Sequence, residues 1–216
     1  AVTFRETALL LNPEESSARQ RQWVAIVVSH EISHQWFGNR TTMQWWSGLF
    51  LNEGFASFLE YTCTDHCFPE WHIWDQFLVD DLGRALLLDA LESSHAIHVE
   101  VSHPDEIDEI FDAISYSKGS SLIRQLATFL GPETFKKGLT AYLHKFAWKN
   151  AKVEDLWKSF EQASNQPVVS MMTTWTKQKG FPVLMVKKGE KKGEFVLEQK
   201  KFGKISSSSS SSSSSS

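Results

Sequence analysis

Cysteine is nearly absent from this chain. Its 216 residues hold two, Cys63 and Cys67, too few for the disulfide framework that staples small secreted domains. Their i, i+4 spacing puts both on one helical face, a poor geometry for a disulfide. Two reduced, buried thiols are therefore expected, and with them a cytoplasmic compartment. Buried thiols explain the pair more simply than a metal site shared with the intervening His66. Long apolar runs are missing too: no stretch approaches the ~20 residues of a membrane span. The N-terminus has neither the basic start nor the apolar core of a signal peptide. Strong charge of one sign is absent as well. A formal net charge of −4 argues against nucleic acid as the main partner. No internal repeat is present.

The charge that exists is unevenly spread. Residues 85–117 carry eight acidic side chains and no Lys or Arg, whereas residues 187–204 carry seven Lys against three Glu. Both read first as solvated surface. Nine Trp, fifteen Phe and a hydrophobic content of 41% are ample for a buried core.

Residues 1–11 alternate and include β-branched side chains, which predicts a strand. Ser17 then opens a helix, with Gln20 completing a capping box. Trp23, Ile26, Val27, His30, His34 and Phe37 follow at helical spacing and predict one inward face, ended by Gly38-Asn39. A second helix is expected to start near Asn52 as N-cap. Further helices are predicted at about 69–91, 117–130, 133–147, 152–164 and 167–179, from Pro at helix starts and Gly131-Pro132 as a stop and restart. Residues 93–104 read as extended, and the pattern after Gly180 as a β-hairpin. The predicted class is mainly α (α+β). A helical domain spans 1–180, an incomplete all-β domain begins over 181–205, and a low-complexity serine tail, 206–216, is expected to be disordered.

One motif nearly states a reaction. His30-Glu31-Ile32-Ser33-His34 places two imidazoles one helical turn apart, so both project to one side and can converge on a single ion. Glu53, on the next predicted helix, offers a carboxylate as third ligand. Two His and one Glu form the ligand set of catalytic rather than structural zinc, with a fourth position open to water. Glu31 is offset by ~100° on the helix, turned too far to join that pair but adjacent to it. It is the candidate general base toward the zinc-bound water. Singly, His30 and His34 would read as core histidines; together with Glu31 and Glu53 they do not.

The flanking residues extend the motif. His30–Asn39 (HEISHQWFGN), Trp45-Trp46, Leu51–Ser57 (LNEGFAS), Asp65–Glu70, Asp108–Gly119 (DEIFDAISYSKG) and Thr174–Gln178 together resemble the gluzincin zinc aminopeptidases, most nearly the puromycin-sensitive type, over roughly residues 1–205. The resemblance implies a thermolysin-like catalytic domain, one Zn²⁺ per chain on His30, His34 and Glu53, Glu31 as general base, and peptide substrates. It also implies a transition-state tyrosine at Tyr116 and a carboxylate behind the ligands at Glu60. A phenol can donate to an oxyanion, and a carboxylate can orient a ligating imidazole. The all-β start after Gly180 would then begin a β-sandwich.

Ala1–Glu6 resembles the segment that follows the family's Gly-Ala-Met-Glu-Asn motif, which holds the substrate's free amine and is absent here. The expected function is removal of N-terminal residues from peptides. Without the amine anchor and the family's other domains, an alternative is a catalytically weak zinc- and peptide-binding relative. Cleavage of internal bonds is a third possibility.

Overall fold

The computed structural model describes residues 1–202, so the serine tail lies outside the described residues. Ser17 opens the first helix, α1 (Ala18–Ser33), its hydroxyl accepting from the Gln20 N–H at 3.2 Å. The chain unwinds through Phe37 and reverses at Gly38 (φ +127°), whose N–H donates to the Thr41 carbonyl. Strand β1 (Thr41–Met43) and a 3₁₀ segment (Trp46–Leu51) lead into α2 (Glu53–Cys67). Next come α3 (Ile73–Gln76), a π-helical turn (Phe77–Leu82) and α4 (Gly83–Asp89). A π-turn at Ile114–Lys118 then feeds α5 (Gly119–Leu130) and α6 (Pro132–Lys145). Strand β2 (Lys149–Ala151), α7 (Val153–Ser164), α8 (Val168–Lys177) and the hairpin β3 (Pro182–Lys188) with β4 (Phe195–Lys201) complete the order. The described residues are mainly helical with few strands.

Helices α1 and α2 lie side by side, with α5 on the far side of α2. Parallel pairing of β1 with β2 ties the α1–α2 connection to the start of α7. The main core fills the space between α2, α5, α6 and α7. Phe50, Phe55, Ile114, Leu126, Trp157 and Phe160 are essentially inaccessible there, each contributing about 1.5–3 kcal/mol by leaving water. Irregular residues 93–104 are pinned to the α1–α2 connection, where the Trp45 indole donates to the Val101 carbonyl at 2.7 Å.

The ion pair between Lys118 and Asp89 is buried. The Lys118 ammonium donates to Asp89 at 2.7 Å and also reaches the carbonyls of Gln178 and Gly180. Asp89 additionally accepts from the Ser94 hydroxyl and the Gly180 N–H. Every partner a buried charge requires is thus supplied.

Several expectations need correction. Residues 1–11 form no strand but a 3₁₀ turn at Glu6–Ala8. Alternation cannot make a strand without a ladder partner, and none pairs with it among the described residues. Cys63 and Cys67 are exposed, because α2 turns its other face, with Phe58, Glu60, Tyr61 and Thr64, inward. Trp23 is 54% exposed, lying beside the inward stripe rather than in it. Asn52 is itself helical and makes no capping bond. The single helix expected over 69–91 is interrupted at His72, in left-handed conformation at φ 47°, and beyond it runs on from Ile73 to Asp89 through a π-helical turn. Residues 93–104, expected to be extended, are irregular, with isolated bends and no ladder partner among the described residues. The later helices and the hairpin lie within two residues of expectation.

Candidate metal centre and active site

His30 sits in the last turn of α1, His34 caps its end, and Glu53 begins α2. The packing of the two helices brings the three side chains together. His30 Nε2 and His34 Nε2 are 3.1 Å apart, and Glu53 Oε2 lies 3.3 Å from the first and 3.5 Å from the second. Four ligands placed tetrahedrally at zinc bond lengths are separated by about 3.3 Å, so the three atoms stand where such a site would need them. They are the one cluster of this kind among the described residues.

The outer ring nitrogens explain why the inner ones converge. His30 Nδ1 lies 2.6 Å from the buried Glu60 carboxylate, and His34 Nδ1 2.9 Å from the Phe37 carbonyl. Both partners accept, so each Nδ1 donates and each Nε2 is left to offer a lone pair inward. Two facing lone pairs beside a carboxylate form an arrangement that a cation satisfies. The turn after α1 creates one of these contacts, since unwinding at Phe37 frees its carbonyl for His34.

The charges agree with that geometry. Burial alone would lower the His30 pKa, but the carboxylates of Glu53 and Glu60 outweigh it and raise it to about 10. Burial likewise works against the His34 imidazolium, and Glu53 and the Phe37 carbonyl reverse it. Glu53 is pushed up by burial and drawn down to about 2 by the two imidazoles. Glu60, more deeply buried, is raised to about 7 despite His30. Without a cation the cluster therefore holds protons in its place.

Glu31 shares with His30, Glu60 and Tyr116 the lining of a cleft of roughly 630 Å³. Tyr116, from the π-turn, lies nearly parallel to the His30 ring, with centroids 6.2 Å apart. Burial and the carboxylates of Glu53 and Glu31 raise its pKa, keeping the phenol protonated. The structure thus brings all six candidates, His30, Glu31, His34, Glu53, Glu60 and Tyr116, to one place.

Sequence reasoning missed the residues that hold this arrangement. Asp81 accepts from Tyr61 at 2.5 Å and from Ser117 at 2.7 Å, linking the neighbours of Glu60 and Tyr116. Asp112 accepts from the Ile114 and Ser115 N–H groups. An Asp just ahead of a helical turn is a capping signal, but nothing local pointed to Asp81.

Comparison with known proteins agrees with the geometry. A family model described as the peptidase family M1 domain matches residues 1–175. The chain is 56% identical over 201 residues to aminopeptidase M1 of Arabidopsis thaliana, covering 93% of this chain and 22% of that protein. Aminopeptidase M1-A of Oryza sativa subsp. japonica is 54% identical over 201 residues, with 93% and 23% covered. Glutamyl aminopeptidase of Sus scrofa is 53% identical over 185 residues, with 86% and 20% covered. The chain thus spans about a fifth of the length of the curated relatives it matches. Identity above one half, carried across the segment that holds the histidines, Glu53 and Tyr116, leaves a single assignment: the chain belongs to peptidase family M1, a gluzincin aminopeptidase family.

Proposed function

We propose that this chain carries the catalytic centre of a zinc aminopeptidase that removes N-terminal residues from peptides. The observation that carries this reading is the convergence of His30 Nε2, His34 Nε2 and Glu53 Oε2 within 4.8 Å of one another, beside a cleft that His30 lines together with Glu31 and Tyr116. His30, His34 and Glu53 would hold one Zn²⁺. When bound, the metal supplies Lewis acidity, polarising a carbonyl and lowering the pKa of water toward ~7.

The side chains supply the remaining chemistry. Glu31 accepts the proton of the attacking water and passes it to the departing amine. Tyr116 donates its phenol hydrogen to the oxyanion that forms on the scissile carbonyl. Glu60 keeps the proton on His30 Nδ1, which fixes the ring's orientation and leaves Nε2 free to ligate.

In this reading residues 1–180 form a thermolysin-like catalytic domain of the puromycin-sensitive type, and β3–β4 begins a β-sandwich. The exposed Leu184, Val186, Phe195 and Leu197 of the hairpin support the second point, as apolar side chains that a further layer would cover. A second reading is a zinc- and peptide-binding relative with little turnover. No described helix is long and apolar enough to cross a membrane; a cytoplasmic setting rests on the two unbridged cysteines.

A paired assay of wild type and Glu31→Gln, with zinc quantified in both, separates the readings. Equal zinc with turnover lost only in Glu31→Gln supports the enzyme. Equal zinc with no turnover in either supports the binding protein, and a wild type that takes up no zinc excludes both.

A further inference from the structure

Three consecutive N–H groups leading to the Tyr116 side chain are tied to one residue. Asp112 Oδ1 accepts from Ile114 at 2.8 Å and from Ser115 at 3.2 Å, and the Asp112 carbonyl accepts from Tyr116 itself at 3.1 Å. This bonding starts the π-turn. It leaves Asp112 Oδ2 unused by the cap, and that oxygen lies 2.9 Å from His95 Nε2. The other nitrogen of His95, Nδ1, lies 2.7 Å from the Ala96 carbonyl.

Both ring nitrogens of His95 thus face groups that only accept, so the ring satisfies both as an imidazolium. The resulting pair is charge-assisted, the stronger kind of hydrogen bond, with side chains only 27% and 26% exposed. His95 stands in the irregular segment 93–104, far along the chain from the metal cluster. Its neighbour Ser94 is bonded to the buried Asp89, so the imidazole is held from behind.

We propose that His95 and Asp112 are a positioning pair, fixing the π-turn so that the Tyr116 hydroxyl is presented to the metal centre. Neither residue belongs to the metal-ligand cluster; Asp112 lines the same cleft as Tyr116, and the pair acts through Tyr116. The proposal rests on the reading of Tyr116 as the oxyanion donor.

A simple cap and a charged clasp make different demands. Asn at position 112 could still accept from Ile114 and Ser115, but it carries no charge for His95. Gln at position 95 could still donate to Asp112, without the charge. A positioning role therefore ranks the variants: His95→Ala and Asp112→Asn are impaired, and His95→Gln is partly rescued. A plain cap leaves all three unaffected.

The test uses the whole chain labelled with 3-fluorotyrosine. Three tyrosines give three fluorine resonances, and Tyr116→Phe assigns the one of interest. Zinc should move the Tyr116 resonance in wild type and leave that of Tyr142, in the core, unchanged. In zinc-loaded His95→Ala and Asp112→Asn the Tyr116 resonance should shift away from its wild-type position or broaden, with zinc content and Tyr142 unchanged. His95→Gln should lie between. Where wild type turns over, kcat should fall about tenfold to a hundredfold with KM held, less than the loss of the donor itself. A Tyr116 resonance at its wild-type position in both impaired variants overturns the proposal. Zinc-loaded wild type without turnover defeats the enzymatic reading alone, because the resonances still decide whether the pair positions Tyr116.

Discussion

Gly54 and Gly119 meet backbone to backbone: a Cβ on Gly54 would stand 3.3 Å from the Gly119 Cα, and one on Gly119 3.4 Å from the Gly54 Cα. Gly54 follows the ligand Glu53, and Gly119 ends the turn that carries Tyr116. The absence of two side chains therefore sets the distance between α2 and the tyrosine.

Gly54→Ala should be destabilising, since the atoms its methyl meets are backbone and cannot swing aside. Overpacking of this kind costs about 1–3 kcal/mol. A urea unfolding curve of the zinc-free protein measures it, and an unchanged midpoint would show that the helices separate freely.

Removing the Glu60 carboxylate with Glu60→Ala should weaken zinc binding about tenfold to a hundredfold, the usual effect of losing the partner behind a ligating histidine. Competition against a chromophoric chelator gives the affinity. Glu60→Gln, whose amide oxygen can still accept from Nδ1, should recover part of the loss.

The stability of the zinc-free protein should depend on pH through this cluster. His30 is raised to about 10, so its contribution is complete below its unfolded pKa of about 6.5 and fades as pH climbs toward 10. Glu53 is lowered to about 2, so its contribution is complete above about 4.3 and is lost as pH falls toward 2. Glu60 is raised to about 7, so its burial becomes unfavourable as pH rises from about 4.3 to that value. All three signs place this cluster's optimum on the acid side of neutrality. Zinc-free protein should melt higher at pH 5 than at pH 9, and zinc uptake at neutral pH should release protons. Calorimetric heats that do not depend on the buffer's ionisation enthalpy would contradict the second expectation.

Asp89→Ala should be the more severe kind of lesion. It strands the Lys118 ammonium, only 8% exposed, without its carboxylate, and breaking one side of a buried pair costs about 3–5 kcal/mol. Chemical denaturation of Asp89→Ala beside Asp89→Ala/Lys118→Met decides the cause, because the double variant should regain stability if the unpaired charge is responsible.

What could be read from the sequence follows the range of the interactions involved. His30, Glu31 and His34 share one helix, so spacing alone sorted their directions, and Glu53 lies one helix on. Helix starts at Pro132 and near Pro167 were legible because proline acts locally. Tyr116 was reached only through resemblance, since its direction depends on a π-turn that no 3.6-residue pattern describes. Asp81, His95 and Asp112 bond across separate segments, so periodicity could not connect them. Residues 1–11 misled for the opposite reason: their pattern is local, but a strand is not.

The parallel pairing of β1 with β2 also bears on how the molecule assembles. The contact between Met43 and Asn150 spans 107 residues, whereas His30 and Glu60 are 30 apart. Closing the longer loop costs about 1.1 kcal/mol more in chain entropy, and non-local pairings of this sort slow folding. The metal ligands therefore come together at a lower cost in chain entropy than the strand pair that secures the connection between them.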